Sequence, residues 1–374
     1  MNILVVNWQD IKNPNAGGAE VHLHEVFCRI AAMGHRVTLF CSSFAGAPRE
    51  ETIDGIDIIR EGGRYLFNLR PLLAYLRRFR RERFDVIVDD LNKIPFFLPA
   101  YVAEPVCCVT HHLFDTSIFR ETNAALASYV YLTERSAIAS YCRRRVPFIV
   151  GSPSTKEELV RRGCRAEDVT VVHYAVDHAT HRRTGVPKNP VPLIGYFGRL
   201  KRYKSVHHLL EALPGVVAEV PDLKVMIVGE GDDRPRLEAI AQEKGLSRLV
   251  EFTGYVSEER KMELLQQMWC KVMTSSKEGW GLTVLEANAC GTPVVASRVP
   301  GLRDAVRDGE TGLLYAFGDV PELAGKIIRL LKDHAYREEL SAEALRWSHT
   351  FTWEKAAVET LAVLKNVSSR NSPL

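Results

Sequence analysis

Short apolar, β-branched runs alternate with longer segments of helical periodicity along most of the chain. In the first half the runs are NILVVNW, HRVTLFCS, FDVIVDD, PVCCVTHH, VPFIVGS and VTVVHY, with helices predicted after Gly18, near Pro71, after Asn123 and after VPFIVGS. Ser154 with Glu157 three residues on reads as a capping box for the last of these. Strands alternating with helices predict a parallel sheet covered on both faces. The pattern then pauses. Residues 177–192, DHATHRRTGVPKNPVP, are polar, proline-containing and without a period, as an interdomain linker would be. After them the alternation restarts with PLIGYFGR, LKVMIVGEG, VEFTGYV, CKVMTSS, TPVVAS and TGLLY, and with helices from Ser205, Asp233, Ser257 and Leu282. Helices near 321–333 and 336–348 follow, and Thr352 is the expected N-cap of a final one.

At 374 residues the chain is long enough for two cores. The predicted fold class is α/β, two Rossmann-like doubly wound domains facing across a cleft. Residues 1–180 form the first, residues 181–350 the second, and in 351–374 a helix crosses back to the first domain before a polar tail. A hydrophobic content of 46% and a charged content of 25% are those of an ordinary folded enzyme-sized protein. The net charge of +3 is too small to argue for nucleic acid. The eight cysteines contain no C-x-x-C pair and lie mostly in apolar runs, so they are expected as buried thiols of a reducing compartment. MNILVVNWQD has no basic leader, and no run of about 18 apolar residues occurs, so a cytoplasmic location is the expectation.

Open parallel sheets bind ligands outside the carboxyl ends of their strands, and the distinctive residues fall there. In SSKEGWGLTVLEANACGTPVVAS a strand ends near Ser276, a turn carries Glu278, and a helix carries Glu286. Gly279 and Gly281 allow a tight turn. The N–H groups of Leu282 and Thr283, at the helix start, suit a diphosphate. Carboxylates suit paired sugar hydroxyls. The blander alternative makes Glu278 a loop charge and Glu286 a carboxylate favoured by the helix dipole. In PLIGYFGRLKRYKS, Gly198, Arg199 and Lys204 follow a strand, so two cations flank a point where a phosphate can approach bare backbone. Such charge-assisted bonds contribute about 1.5–3 kcal/mol each. A solvated basic loop is the alternative. VGEGDDRPRLE lacks the third glycine of a dinucleotide fingerprint, which weakens a hydride-transfer reading.

Glu278 and Glu286, with seven residues between them, sit in a segment that resembles the signature of family-4 retaining glycosyltransferases, proteins of the GT-B fold. The resemblance implies that Glu278 contacts the transferred sugar and Glu286 the ribose of a nucleotide-sugar donor. Arg199 and Lys204 match the family's G-R-x-x-x-x-K pattern, with Ser205 where the family usually has glycine. Gly229 stands in a G-x-G turn that lines the donor pocket, and backbone near Tyr255 and Val256 is the implied seat of the base. Gly17 and Gly18, in GGAE, match a glycine-rich turn that meets the diphosphate from the first domain, where Glu20 is either an acceptor contact or a first-turn carboxylate. His111 aligns with a histidine that contacts the donor sugar, whereas His22, His24, His35 and His173 read as structural. Tyr174-Ala175 replace the usual N-G, which implies a stiffer hinge, and Gly301 and Asp304 stand in a phosphate-side turn.

The implied reaction moves a hexose-type sugar, with retained anomeric configuration, to a glycan, glycolipid or small-molecule acceptor. The departing phosphate serves as base. No cofactor or metal is expected, although Asp89-Asp90 has a metal-like look. The competing readings are a sugar-nucleotide epimerase and a catalytically silent nucleotide-sugar-binding subunit.

One basic cluster stands apart, LRPLLAYLRRFRRERF, with Leu69, Leu72, Leu73, Leu76 and Phe79 at helical spacing among Arg70, Arg77, Arg78, Arg80, Arg81 and Arg83. It reads either as a peripheral contact with an anionic membrane or as a scaffold helix whose apolar stripe packs on the sheet.

Overall fold

The computed structural model of the protein describes residues 1–92 and 94–369, and the end of the expected polar tail, 370–374, lies outside them. The chain divides into two compact units. Unit 1 takes Met1–Tyr174 and the chain from Trp353; unit 2 is Ala175–Thr352.

In unit 1 the β-branched runs become β1 (Asn2–Val6), β2 (Arg36–Cys41), β3 (Glu50–Ile53), β4 (Ile56–Arg60), β5 (Val86–Leu91), β6 (Val106–Thr110), β7 (Phe148–Val150) and β8 (Val169–Val171). They form one sheet ordered β3-β4-β2-β1-β5-β6-β7-β8, parallel except for β3 against β4. Strands such as β5 are buried along their whole length, the pattern of a sheet covered on both faces. The covering helices are α1 (Gly18–Ala32), α2 (Arg70–Arg77), α3 (Ala124–Arg143) and α4 (Pro153–Arg161).

Several local expectations change. The β3–β4 hairpin was not predicted. Its turn, Asp54-Gly55, has φ of +49° and +83°, the pair of positive angles a two-residue hairpin turn demands. Helix α4 is capped by Ser152, which accepts from Thr155 N at 3.2 Å, and not by Ser154. Pro153 explains the shift: its fixed φ and missing N–H suit the first helical position, which puts the cap at Ser152, two residues before the expected one. The eight expected thiols become six, because Cys142 and Cys164 form a disulfide with Cα atoms 4.6 Å apart, tying the end of α3 to the loop after α4. In the basic segment α2 stops at Arg77, and Phe79–Arg81 continues as a 3-10 turn. Phe79 is buried, but Leu69, Leu72, Leu73 and Leu76 are exposed, so the expected apolar stripe does not pack on the sheet. Pro71, Ala74 and Tyr75 are buried instead.

Unit 2 carries β9 (Leu193–Phe197), β10 (Lys224–Val228), β11 (Val250–Gly254), β12 (Cys270–Met273), β13 (Val294–Ser297) and β14 (Gly312–Tyr315), all parallel, in the order β11-β10-β9-β12-β13-β14. Its helices are α5 (His207–Glu219), α6 (Arg234–Glu243), α7 (Glu258–Gln267), α8 (Leu282–Ala289), α9 (Leu302–Ala305), α10 (Val320–Lys332) and α11 (His334–Ser348). The strand order reverses between β9 and β12, which makes the carboxyl ends of these two neighbours the natural ligand position of the sheet. Residues 177–192, expected as a linker, lie on unit 2. Thr184 N donates to Gln266 at 2.7 Å, Lys188 to Met268 O at 2.6 Å, and Asn189 N to Gln267 O at 2.9 Å. Backbone N–H groups and the Lys188 ammonium of this segment thus meet acceptors at the end of α7.

The last helix, α12 (Trp353–Ser369), belongs to unit 1 and packs on α1 through a buried face that includes Trp353, Ala357, Leu361 and Leu364.

Candidate donor site

In unit 2 the chain leaves β9 through Gly198 (φ +150°), passes Arg199, and makes a 3-10 turn over Arg202–Lys204. Ser205 then adopts φ +49°, a left-handed backbone, which accounts for the glycine usual at this position. The neighbouring strand β12 runs into Thr274, Ser275 and Ser276, and these residues stitch the two loops together. Thr274 Oγ1 donates to Lys204 O at 2.8 Å, and Ser276 N donates to Tyr203 O at 2.8 Å. On this base Lys204 Nζ meets Glu278 Oε1 at 2.5 Å, and Ser275 Oγ donates to the same oxygen at 2.6 Å. Burial works against a charge on Lys204, and the Glu278 carboxylate more than offsets it, so the ammonium is held protonated well beyond the ordinary lysine range. Arg199 is exposed, and its guanidinium makes no hydrogen bond or ion pair with a described residue. Its carbonyl accepts from the Tyr196 hydroxyl at 3.1 Å.

The turn after Glu278 ends at Gly281, whose φ of +93° puts it in the left-handed region. Helix α8 starts at Leu282 and Thr283, and no side chain among the described residues caps it. Uncapped first-turn N–H groups carry the positive end of the helix dipole. One turn on, Glu286 lies 2.7 Å from Lys261 Nζ of α7 and 4.0 Å from His181 Nε2. Burial opposes ionisation of Glu286, but Lys261, His181 and Lys271 outweigh it and hold its carboxyl below the usual range.

The glycines do different work. A Cβ on Gly229 would stand 2.1 Å from Gly198 O, and one on Gly301 2.3 Å from Glu278 O. Both are needed where one loop rests on another, so Gly229 shapes the rim by packing beneath Gly198. Tyr255, after β11, is 81% exposed, and Val256 beside it is half-buried.

In unit 1, Gly17 precedes α1, and its N–H donates to Glu20 Oε2 at 2.7 Å, which gives Glu20 the capping role rather than a free carboxylate. His111, at the end of β6, is buried with both ring nitrogens engaged. Nε2 is 2.8 Å from Asp90 Oδ1, and Nδ1 meets the Tyr174 hydroxyl. Burial disfavours a charged ring, but Asp90 prevails and raises the His111 pKa. Asp89 is taken by the Tyr141 hydroxyl, so the Asp89-Asp90 pair serves two different internal contacts. His22, given a structural reading above, is buried against Tyr174 at 4.0 Å and Trp353 at 6.0 Å between ring centroids.

Two family models match. "Glycosyltransferase Family 4" covers residues 16–180, and "Glycosyl transferases group 1" covers residues 177–347. The chain belongs to the family 4 glycosyltransferases. A D-inositol 3-phosphate glycosyltransferase of Corynebacterium urealyticum is 34% identical over 193 residues, covering 50% of this chain and 45% of that protein. The match thus spans about half the length of that curated relative. Sucrose-phosphate synthase from Thermosynechococcus elongatus superposes with a TM-score of 0.83 at 22% identity, covering 99% of this chain and 100% of that one. The Anabaena protein HepE, solved in complex with UDP-glucose, does so with a TM-score of 0.76 at 21% identity, covering 98% and 100%. The fold of this family 4 glycosyltransferase is accordingly GT-B, built from two Rossmann-like units.

Among the residues singled out in this glycosyltransferase, Arg199, Lys204, Glu278, Gly281, Leu282, Thr283 and Glu286 gather at the β9/β12 reversal of unit 2. Gly17, Gly18 and His111 belong to unit 1. Sequence reasoning missed Ser275, Lys261, His181 and Lys271. Only Lys271 carried a signal, a lysine inside the apolar strand CKVM, where a charge is out of place unless it is held.

Proposed function

We propose that the protein transfers a hexose-type sugar from a nucleoside-diphosphate donor, with retained anomeric configuration and without a metal ion, to a glycan, glycolipid or small-molecule acceptor. The observation that carries the reading is the Lys204–Glu278 pair beside a solvent-exposed Arg199 at the strand reversal of unit 2, next to the uncapped start of α8. Arg199, Lys204 and the Leu282 and Thr283 N–H groups offer positive charge for the diphosphate, where negative charge accumulates as the bond to the sugar breaks. In this reading no step is assigned to a metal because these groups take its place. Glu278, tied to Lys204 and Ser275, is a poor nucleophile and suits sugar hydroxyls. The departing phosphate then takes the acceptor's proton and attack comes from the same face, which supports retention. Glu286 holds the ribose, backbone near Tyr255 and Val256 holds the base, and Gly198, Gly229 and Gly279 shape the walls. Catalysis here is chiefly positioning and charge stabilisation.

Thermal-shift screening and turnover assays with UDP-, GDP- and ADP-sugars test this, since a specific ligand raises apparent stability by mass action. Binding with transfer to an acceptor is expected. Epimerised donor, or binding without turnover, would replace the reading with an epimerase or a silent subunit.

A specific observation favours contact with a membrane as well. Leu69, Leu72, Leu73 and Leu76 are exposed beside Arg77, Arg80 and Arg81, and the hydrogen bond from Asn68 Nδ2 to the Tyr129 hydroxyl at 3.2 Å links this face to exposed Leu126, Tyr129 and Leu132 of α3. Apolar side chains rimmed by arginine suit an anionic lipid surface. No helix among the described residues is long and apolar enough to cross a membrane.

A further inference from the structure

Lys271 is fully buried in β12, the strand whose end carries the Glu278 turn. Its ammonium donates to the carbonyl of Thr283, in the first turn of α8, at 2.5 Å. The charged groups it senses are Glu286 from α8, Lys261 from α7, and Glu278 and Lys204 from the paired loops, while His181 stands 4.0 Å from the same Glu286. A lysine inside a central strand costs stability unless its charge is used. The hydrogen bond ties the strand floor directly to the helix turn whose N–H groups the proposed function assigns to the diphosphate.

We propose that Lys271 is a positioning residue of the donor site: through the Thr283 carbonyl and the Glu286 carboxylate, its buried ammonium fixes the first turn of α8 in the donor-binding arrangement. The inference rests on the function proposed above. It makes the charge on Lys271, and not merely its volume, a determinant of donor affinity. Burial is the first cause that pushes the Lys271 pKa down, to about 7, with Glu286 opposing and Lys261 adding to the fall. The charge is therefore present below neutral pH and lost above it.

The test measures Kd and KM for UDP-glucose, GDP-mannose and ADP-glucose from pH 6 to pH 9, in the wild type, Lys271→Met and Lys271→Arg. The diphosphate group of these donors does not titrate in that range, and ADP-glucose carries no base proton that does. The wild type is expected to bind its donor at least fivefold more tightly at pH 6 than at pH 9. Lys271→Met, which keeps the stem and its packing, is expected to bind at least fivefold more weakly at pH 6, with a flat profile, a raised KM and a kcat changed far less. Lys271→Arg is expected to recover part of the affinity without the pH dependence. A wild-type profile that is flat overturns the inference whatever the variants do, as does Lys271→Met with wild-type Kd and pH profile. If none of the three donors binds the wild type, the functional reading fails and takes this inference with it. Donor binding that is indifferent to Lys271 leaves that reading standing and removes only the inference.

Discussion

Lys204 Nζ and Glu278 Oε1 stand 2.5 Å apart, joining the loop after β9 to the turn after β12 across the point where the strand order reverses. The pair does two things at once. It neutralises a buried ammonium and it aims a carboxylate. Lys204→Ala is expected to lower turnover at least tenfold, because a cation at the leaving group is lost and Glu278 is left without its partner. Glu278→Gln should also slow turnover, and the double variant should lose less than the sum. A thermodynamic cycle on kcat/KM reads the coupling, expected to be about 1 kcal/mol or more. Strict additivity would show that the two residues act separately.

Glu286→Gln is expected to weaken donor binding about tenfold, through the ribose. Calorimetry with ribose and 2′-deoxyribose forms of the donor nucleotide separates this from a general loss. The wild type should discriminate between them and the variant should not; equal discrimination in both proteins removes Glu286 from the ribose.

The Asp90–His111–Tyr174 chain predicts a stability effect with a definite sign. A histidine whose folded pKa is raised above about 6.5 stabilises most fully below that value, and the contribution disappears as pH rises through the higher folded pKa. Urea unfolding should show the wild type losing stability relative to Asp90→Asn above pH 6.5. Removing the carboxylate outright, as Ala, should cost about 3 kcal/mol. Parallel curves for wild type and Asp90→Asn would show that Asp90 does not set the charge on His111.

Lys271 predicts the opposite slope. Its folded pKa of about 7 lies below the ordinary 10.5, so between those values the unfolded chain binds a proton the folded chain lacks, and stability rises with pH. Melting curves should show this rise in the wild type and a shallower one in Lys271→Met, which should melt several degrees higher near pH 7.

For the exposed face of α2, co-sedimentation with vesicles containing anionic lipid should fall severalfold in Leu72→Glu/Leu73→Glu and in Arg77→Ser/Arg80→Ser/Arg81→Ser. Arg78 is left intact because it pairs with Glu50 at 2.7 Å and Glu82 at 3.0 Å. No wild-type binding to anionic vesicles would point to a soluble acceptor.

Much of the architecture was legible because each parallel strand is an apolar run bounded by a helical stretch. The segment around Glu278 and Glu286 was legible because turn, helix start and carboxylates fall in one short stretch. What stayed hidden depends on long-range geometry. Lys204 and Glu278 are 74 positions apart, and no local pattern announces their pairing. Helical spacing placed Leu69, Leu72, Leu73 and Leu76 on one face, but periodicity alone cannot tell a face turned to the core from one turned to solvent. The Asp54-Gly55 turn was in plain view, yet its strands have only 4 and 5 residues, too short for the alternation to stand out. The Cys142–Cys164 pairing likewise follows from where α3 and α4 end, not from cysteine spacing.

The ends of unit 2 hold each other: His178 Nε2 donates to Phe351 O at 3.2 Å, and the rings of His178 and His349 stack at 4.4 Å. Since Ala175–Thr352 is one unbroken stretch, unit 2 is in topological terms an insertion with neighbouring termini. Such a piece can be excised as a cassette with a single pair of cuts. Unit 1 cannot be obtained by truncation, because a stop after Tyr174 strips α12 from α1 and bares Trp353's place against His22. A genetic split of this protein is therefore asymmetric, and a free-standing first unit requires joining Tyr174 to Trp353 through a short designed loop.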